Sequence, residues 1–285
     1  MTLAEFDLVK RGSVNIWISN RFADPAFVDL LAEPDRLFAD SGCRIIKDQR
    51  KIKIGRVLQT INGVPRCLYV KRYNTFSLRF RLLSPLFRSG ALRSLRGAHV
   101  LLGGKIATAE PIAAVESRFF GMLRYSFFVS EEIAGGKTAD VYWLESARLQ
   151  EGGGGFKARR AFLRVLASLF RSLHEQRIYH NDLKDRNIIV VNENAESIKC
   201  FLLDLEGVRL CSRLSQRRRT KNLVQLYRTL GRYVPGSGRI FFLKCYLGVF
   251  FEDRKVKRKI IEGVLSAARR VNLTKARTPQ SDNFA

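Results

Sequence analysis

Two short stretches constrain this chain more than anything else in it. The first is Ile178–Val191, reading Ile-Tyr-His-Asn-Asp-Leu-Lys-Asp-Arg-Asn-Ile-Ile-Val-Val, and the second is Phe201-Leu-Leu-Asp-Leu-Glu-Gly207. Asp182 lies two residues before Lys184 and five before Asn187, and Asp204 follows Asn187 by seventeen. The flanks have a matching order. Phe162, Leu166, Leu169, Phe170 and Leu173 recur at helical spacing, which predicts an amphipathic helix over Phe156–Gln176. Apolar runs at Asn187–Val191 and Ile198–Leu203 predict two short strands, with polar turn residues 192–197 between them. Helix, polar loop, strand, turn, strand and acidic loop therefore follow one another without interruption.

These residue types suit phosphoryl transfer, which asks a protein for positioning and for neutralisation of phosphate charge. Asp182 would accept or orient the proton of an attacking hydroxyl. Lys184 would offset charge on the moving group. Asn187 and Asp204 offer hard oxygen ligands of the kind Mg2+ takes together with phosphate oxygens. His180 would brace the loop.

The amino-terminal half supplies a lysine for the phosphates. Asn62-Gly63 between apolar runs is a hairpin signal, so Arg44–Lys47, Ile52–Thr60 and Arg66–Tyr73 are expected as three antiparallel strands, with Lys71 on the third. The first turn, Lys47–Lys53, contains no Gly, and Gly-free turns approach phosphates less closely. Residues Gln49 to Ala109 contain no Asp or Glu and thirteen Lys or Arg. The helix expected over Arg88–Leu102 therefore has Ser94 where an acidic partner for Lys71 would be sought. Glu110 and Glu116 are the nearest substitutes.

The Asp182–Asn187 loop and the Asp204 loop resemble the catalytic and metal-binding loops of the protein-kinase-like superfamily. Val70-Lys-Arg-Tyr73, the Ala91 helix running into Gly104-Lys-Ile-Ala-Thr-Ala-Glu-Pro111, the Ser130-Glu-Glu-Ile133 segment and Asp204-Leu-Glu-Gly with Val208-Arg209 look more specifically like the bacterial lipopolysaccharide kinases. Asn222–Leu230 and Phe242–Leu247 are similar to helices of the same group, so the resemblance spans about residues 44 to 250. It implies an α+β, bilobal kinase-like fold with a small antiparallel-sheet N-lobe over 44–132 and a mainly helical C-lobe over 133–271. Residues 1–43 would pack on the N-lobe as an extension, and 272–285 would form a polar tail. It further implies ATP and Mg2+ as cofactors, Asp182 and Lys184 as catalytic residues, and Asn187 and Asp204 as metal ligands. Lys71 becomes the phosphate clamp, and Glu131 and Ile133 contact adenine through backbone groups at a hinge. The acceptor would be a Kdo or heptose hydroxyl of the lipopolysaccharide inner core.

Charge supports an anionic partner. The chain carries 51 Lys and Arg against 26 Asp and Glu, a formal net charge of +25. Such an excess favours contact with polyanions or an anionic membrane surface. Nucleic acid is set aside for want of any zinc spacing, helix-turn-helix or RNA-binding aromatic motif. No Ala-Pro-Glu motif follows Asp204, which favours a small or glycolipid acceptor over a peptide. Arg239–Phe251 is apolar but interrupted by Lys244 and too short to span a bilayer, so a buried helix is expected there. No leader-like segment opens the sequence, and Cys43, Cys67, Cys200, Cys211 and Cys245 lack paired spacing and read as reduced thiols. The implied location is the cytoplasm, at the periphery of the inner membrane. Gly152–Gly155 reads as a flexible loop. Two alternatives stay open: a non-catalytic membrane-associated scaffold of the same fold, motivated by the missing acid and glycines, and a protein or small-molecule kinase. The oligomeric state is not legible.

Overall fold

The computed structural model describes residues 5–75, 77–148, 154–192 and 197–277. The chain divides into two compact units, one of residues 1–134 with 201–209, the other of 135–200 with 210–285.

The first unit is built on β1 (Phe6–Arg11), β2 (Val14–Ser19), α1 (Pro25–Ala32), α2 (Arg36–Ala39), β3 (Arg44–Gln49), β4 (Ile52–Ile61), β5 (Val64–Asn74), α3 (Leu78–Leu83), α4 (Gly90–Gly103), β6 (Pro111–Phe119) and β7 (Met122–Glu131). Its seven strands form one sheet in the order β1-β2-β6-β7-β5-β4-β3, all neighbours antiparallel. The expected hairpin is present: Ile61 pairs with Val64, so Asn62-Gly63 makes a two-residue turn with φ of 51° and 74°. The glycine-free turn is shorter than expected, because strand β3 runs on to Gln49 and only Arg50-Lys51 turn the chain. Residues 5–43 contribute two strands to this sheet. Strand β2 alternates Val14, Ile16 and Ile18 into the core and pairs with β6, widening the sheet. Asp24 caps α1 by accepting from Ala26 N (2.9 Å) and Phe27 N (3.2 Å), and its other oxygen accepts from Asn62 N in the turn at 2.8 Å. Those bonds hold the Asp24 carboxyl below its usual pKa and tie the extension to the hairpin.

The segment 201–209 belongs with this unit because Thr108 and Leu202 bridge in parallel. Leu202 N donates to Ala107 O (2.9 Å) and Thr108 Oγ1 to Leu202 O (2.6 Å).

The second unit contains β8 (Lys137–Thr138), α5 (Ala139–Arg148), α6 (Gly154–Glu175), β9 (Ile178–His180), β10 (Ile188–Asn192), α7 (Gln216–Arg228), α8 (Gly236–Leu247) and α9 (Arg254–Arg277); Ile198–Leu202 is the strand that follows β10. The predicted 156–176 helix is α6, which buries Phe162, Leu166, Phe170 and Leu173 completely. Gly152 and Gly153 lie outside the described residues, while Gly154 and Gly155 open α6. The apolar run at 239–251 falls in α8 and the turn after it; Phe242 meets Phe170 edge-on at 5.9 Å. No described helix is long and apolar enough to cross a membrane. Helices α6, α7, α8 and α9 surround an apolar cavity of about 370 Å3, lined among others by Leu166, Leu223, Leu226, Leu243 and Val264. All five cysteines are free.

Candidate active site

In the second unit, Asp182 and its neighbours are fixed by one face of α7. Asn222, Gln225 and Thr229 recur at helical spacing and hold the loop by its backbone. Asn222 Nδ2 donates to His180 O (2.6 Å), Gln225 Nε2 to Asn181 O (2.8 Å), while Gln225 Oε1 accepts from Leu183 N (3.1 Å) and Thr229 Oγ1 from Asp185 N (3.4 Å). Asn222 is fully buried, so its bond to His180 O is made away from competing water, while the Gln225 bond to Asn181 O lies at the surface. His180 does brace the loop, its Nδ1 accepting from Asp182 N at 3.2 Å. Behind Asn222, buried His174 bonds Tyr246 Oη (2.7 Å), and burial lowers its pKa to about 4. This bracing set was not singled out in the sequence; the pattern Asn-x-x-Gln-x-x-x-Thr beginning at Asn222 was the available signal.

On that loop Lys184 Nζ and Asn187 Nδ2 converge on the same oxygen, Asp182 Oδ2, at 2.6 and 3.1 Å. Asn187 Nδ2 also donates to Asp182 O (2.7 Å). The carboxylate is thus oriented by two donors, about two-fifths of its side chain stays exposed, and Asn187 presents its amide oxygen as the remaining acceptor. Asp185 points inward; burial raises its carboxyl pKa, and it accepts from Arg186 N at 2.8 Å.

In the first unit, Lys71 lies on β5, and its partner is the second acid of the motif. Lys71 Nζ donates to Asp204 Oδ1 at 2.6 Å across 133 residues of sequence. Burial opposes the charged ammonium, but Tyr73 and Asp204 beside it outweigh that penalty and lift the Lys71 pKa above its ordinary value. Asp204 adopts the left-handed conformation (φ 58°, ψ 55°), which Asp tolerates better than most residues, and opens the turn Leu205–Gly207. Neither expected substitute acid reaches Lys71: Glu110 pairs with Arg21 (3.1 Å) and Glu116 with Arg118 (2.9 Å).

Helix α4 carries no acid and is seated differently. Ser94 Oγ bonds buried Tyr73 Oη at 2.6 Å, linking the helix to the lysine strand. Arg93 forms an ion pair with Glu206, two residues past Asp204. Gly97 lets the turn come closer still, since a Cβ there would lie 2.1 Å from Leu205 O. The polarity sought in the sequence is therefore reversed, with the helix contributing the cation and the loop the acid.

Glu131 ends β7 and Glu132 follows it, both with their side chains committed. Glu131 binds Arg66 (2.6 Å), and Glu132 takes a two-point bond from Arg56 (2.8 and 2.7 Å). Their N–H groups donate to Glu110 O (2.9 Å) and Cys67 O (2.8 Å). Ile133 follows directly. The structure thus brings Lys71 together with Asp204, and Asp182 with Lys184 and Asn187; Asn187 and Asp204 belong to different units. Among the described residues no cluster of three His, Cys, Asp or Glu occurs, but an Asn and an Asp completed by phosphate oxygens would not form one. Each offers a hard oxygen of the kind a hard cation takes, Asp204 a carboxylate and Asn187 an amide.

Residues 43–241 match the family model described as lipopolysaccharide kinase (Kdo/WaaP) family. No curated protein sequence is matched significantly. Among solved structures, one described as WaaP in complex with acyl carrier protein is similar over 87% of this chain and 97% of that chain, at 18% identity and a TM-score of 0.62. That likeness gives the fold, which is kinase-like.

Proposed function

Because the chain belongs to the lipopolysaccharide kinase (Kdo/WaaP) family, we propose that it transfers a phosphoryl group from ATP to a sugar hydroxyl, Kdo or heptose, of the lipopolysaccharide inner core. The observation that carries this reading is the Asp182 carboxylate, oriented by Lys184 and Asn187 on a loop braced by α7. In this reading Asp182 Oδ1 accepts the proton as the sugar oxygen attacks, and Lys184 turns its charge to the transferring group. Asn187 and Asp204 would hold Mg2+, which when bound offsets phosphate charge. Lys71 would clamp the nucleotide phosphates, and Glu131 O and Ile133 N would meet adenine. The test is Asp182→Asn. Transfer to core oligosaccharide should fall by about 10^2- to 10^4-fold with thermal unfolding unchanged; retained transfer would remove Asp182 from the reaction and the reading with it. A chain that binds no ATP would instead support the scaffold alternative.

The basic excess supports work at the cytoplasmic face of the inner membrane, since each Lys or Arg near an anionic bilayer contributes about 1 kcal/mol. The structural neighbour was solved with an acyl carrier protein, and the apolar cavity among α6 to α9 offers hydrocarbon a lining without charge-bearing carboxylates. An acyl carrier protein is therefore a second partner to test: its acylated form should raise the melting temperature, and the unacylated form should not.

A further inference from the structure

We infer that the first unit carries a bilayer-insertion surface, formed by the tip of the β6–β7 hairpin and the adjoining Leu82–Arg88 segment, and that it docks on anionic phospholipid. The inference rests on the membrane-face reading above and supplies it with a defined point of contact.

The hairpin tip is built against backbone preference. Phe119 pairs with Met122, so Phe120-Gly121 forms a two-residue turn, with φ of 47° and 76°. The β4–β5 hairpin makes the same kind of turn from Asn62-Gly63. Asn and Gly enter that left-handed region readily, whereas for a bulky residue it is an outlier. A phenylalanine in that position gains nothing from the interior, because it is 85% exposed. Its ring meets that of exposed Phe119 edge-on at 4.5 Å, and strain that burial does not repay points to a use for the side chain outside the fold.

Arg118 joins this tip to the neighbouring segment. With Nε anchored on Glu116, its Nη1 donates to Ser84 O (3.2 Å) and Gly121 O (2.9 Å), and Nη2 donates to Phe87 O (3.2 Å). Ser84 Oγ accepts from Leu123 N at 2.7 Å. Leu82, Leu83, Leu86 and Phe87 are thereby held on the same edge as Phe119 and Phe120, and the six are 53–85% exposed. A cluster of this kind marks an interaction surface.

Its border decides the partner. Arg79, Arg81, Arg88 and Arg124 are exposed around it. The acid-free run covers the whole Leu82–Arg88 segment, and residues 117–130 also contain no Asp or Glu. A second copy of this chain would set arginine against arginine. Apolar side chains bordered by arginine fit an interface in which rings enter the acyl boundary and guanidinium groups meet lipid phosphates.

The test uses the full chain and its double variant Phe120→Asn, Leu86→Ser. Phe120→Asn recreates the turn sequence of the other hairpin, so the fold is retained and the melting temperature does not fall because of it. Flotation with phosphatidylcholine vesicles, with and without phosphatidylglycerol, is measured at low and high salt beside transfer to water-soluble core oligosaccharide. We expect the variant to bind anionic vesicles at least roughly tenfold more weakly, with transfer to the soluble acceptor unchanged and some wild-type binding surviving high salt. Equal vesicle binding by variant and wild type, or complete loss of wild-type binding in salt, overturns the insertion surface and leaves an electrostatic membrane reading standing. Wild type that ignores anionic vesicles overturns both. Self-association of the wild type that the variant abolishes assigns the face to a second copy and overturns the proposal. Absence of transfer by the wild type to any acceptor sinks the kinase reading alone.

Discussion

Gly97→Ala tests whether α4 truly rests on the turn after Asp204. The new Cβ would stand 2.1 Å from Leu205 O, 3.0 Å from Leu205 C and 3.1 Å from Leu205 Cβ. Two of these are backbone atoms, so no side-chain rotation relieves the contact. Helix and turn must separate by about 1 Å to restore ordinary van der Waals distance. Overpacking of this kind costs roughly 1–3 kcal/mol, while Ala in a helix recovers about 1 kcal/mol over Gly. The expected net effect is a loss of up to about 2 kcal/mol, or up to about 4 °C in melting temperature for a chain of this size. The same retreat moves Asp204 from Lys71, and a 1 Å misplacement of a reacting group lowers turnover by about 10^2-fold. Gly103→Ala is the control on the same helix, because a Cβ there meets nothing within 4 Å. Circular dichroism melting and ATP-dependent transfer are read on both variants. If Gly97→Ala matches Gly103→Ala in stability and wild type in turnover, the close seating of α4 on the turn is wrong.

Ser94→Ala should leave buried Tyr73 Oη without its partner and cost about 1–3 kcal/mol, whereas Tyr73→Phe in the same background should recover part of that loss; strictly additive effects in a denaturant cycle would contradict a direct bond. Arg93→Met should change stability by under about 1 kcal/mol but lower turnover at least about tenfold, measured by steady-state transfer, and unaltered kinetics would show that the Arg93–Glu206 pair does not position the turn. His174 is neutral in the folded protein because burial lowers its pKa from 6.5 to about 4. Its contribution is therefore complete above pH 6.5 and lost as pH falls towards 4, by on the order of 3 kcal/mol. Denaturant titrations from pH 7 to 5 should show this slope flatten in His174→Gln, and an unchanged slope would assign the loss to other groups.

Local chemistry was legible in the sequence, and long-range pairing was not. The Asp182–Asn187 spacing, the α6 periodicity and the Asn62-Gly63 turn each state their structure within a few residues. The partner of Lys71 is 133 residues away, and nothing near Lys71 encodes it. The search for an acid on α4 failed because Arg93 and Glu206 exchange the signs of the usual arrangement. Strand β2 shows its alternation plainly at Val14, Ile16 and Ile18, but its neighbour β6 begins at Pro111, so its place in the sheet depends on contacts a linear pattern cannot order. The bracing of the Asp182 loop by Asn222, Gln225 and Thr229 was written at helical spacing, but residues 222–230 were read only for their likeness to helices of the family.

The seven-stranded sheet is open, and an open sheet ends in two rows of unpaired backbone groups. Strand β1 closes one side and carries Lys10 and Arg11; strand β3 closes the other with Arg44 and Lys47, and its pairing with β4 shifts register between Ile45 and Lys47. A strand arriving from another molecule would meet like charge on either border, and on the β3 side an irregular hydrogen-bonding row as well. The same basic residues that suit the chain to a polyanionic partner thus also shield its margins against runaway strand addition, so replacing Lys10, Arg11, Arg44 and Lys47 by neutral residues would expose the sheet to fibre growth.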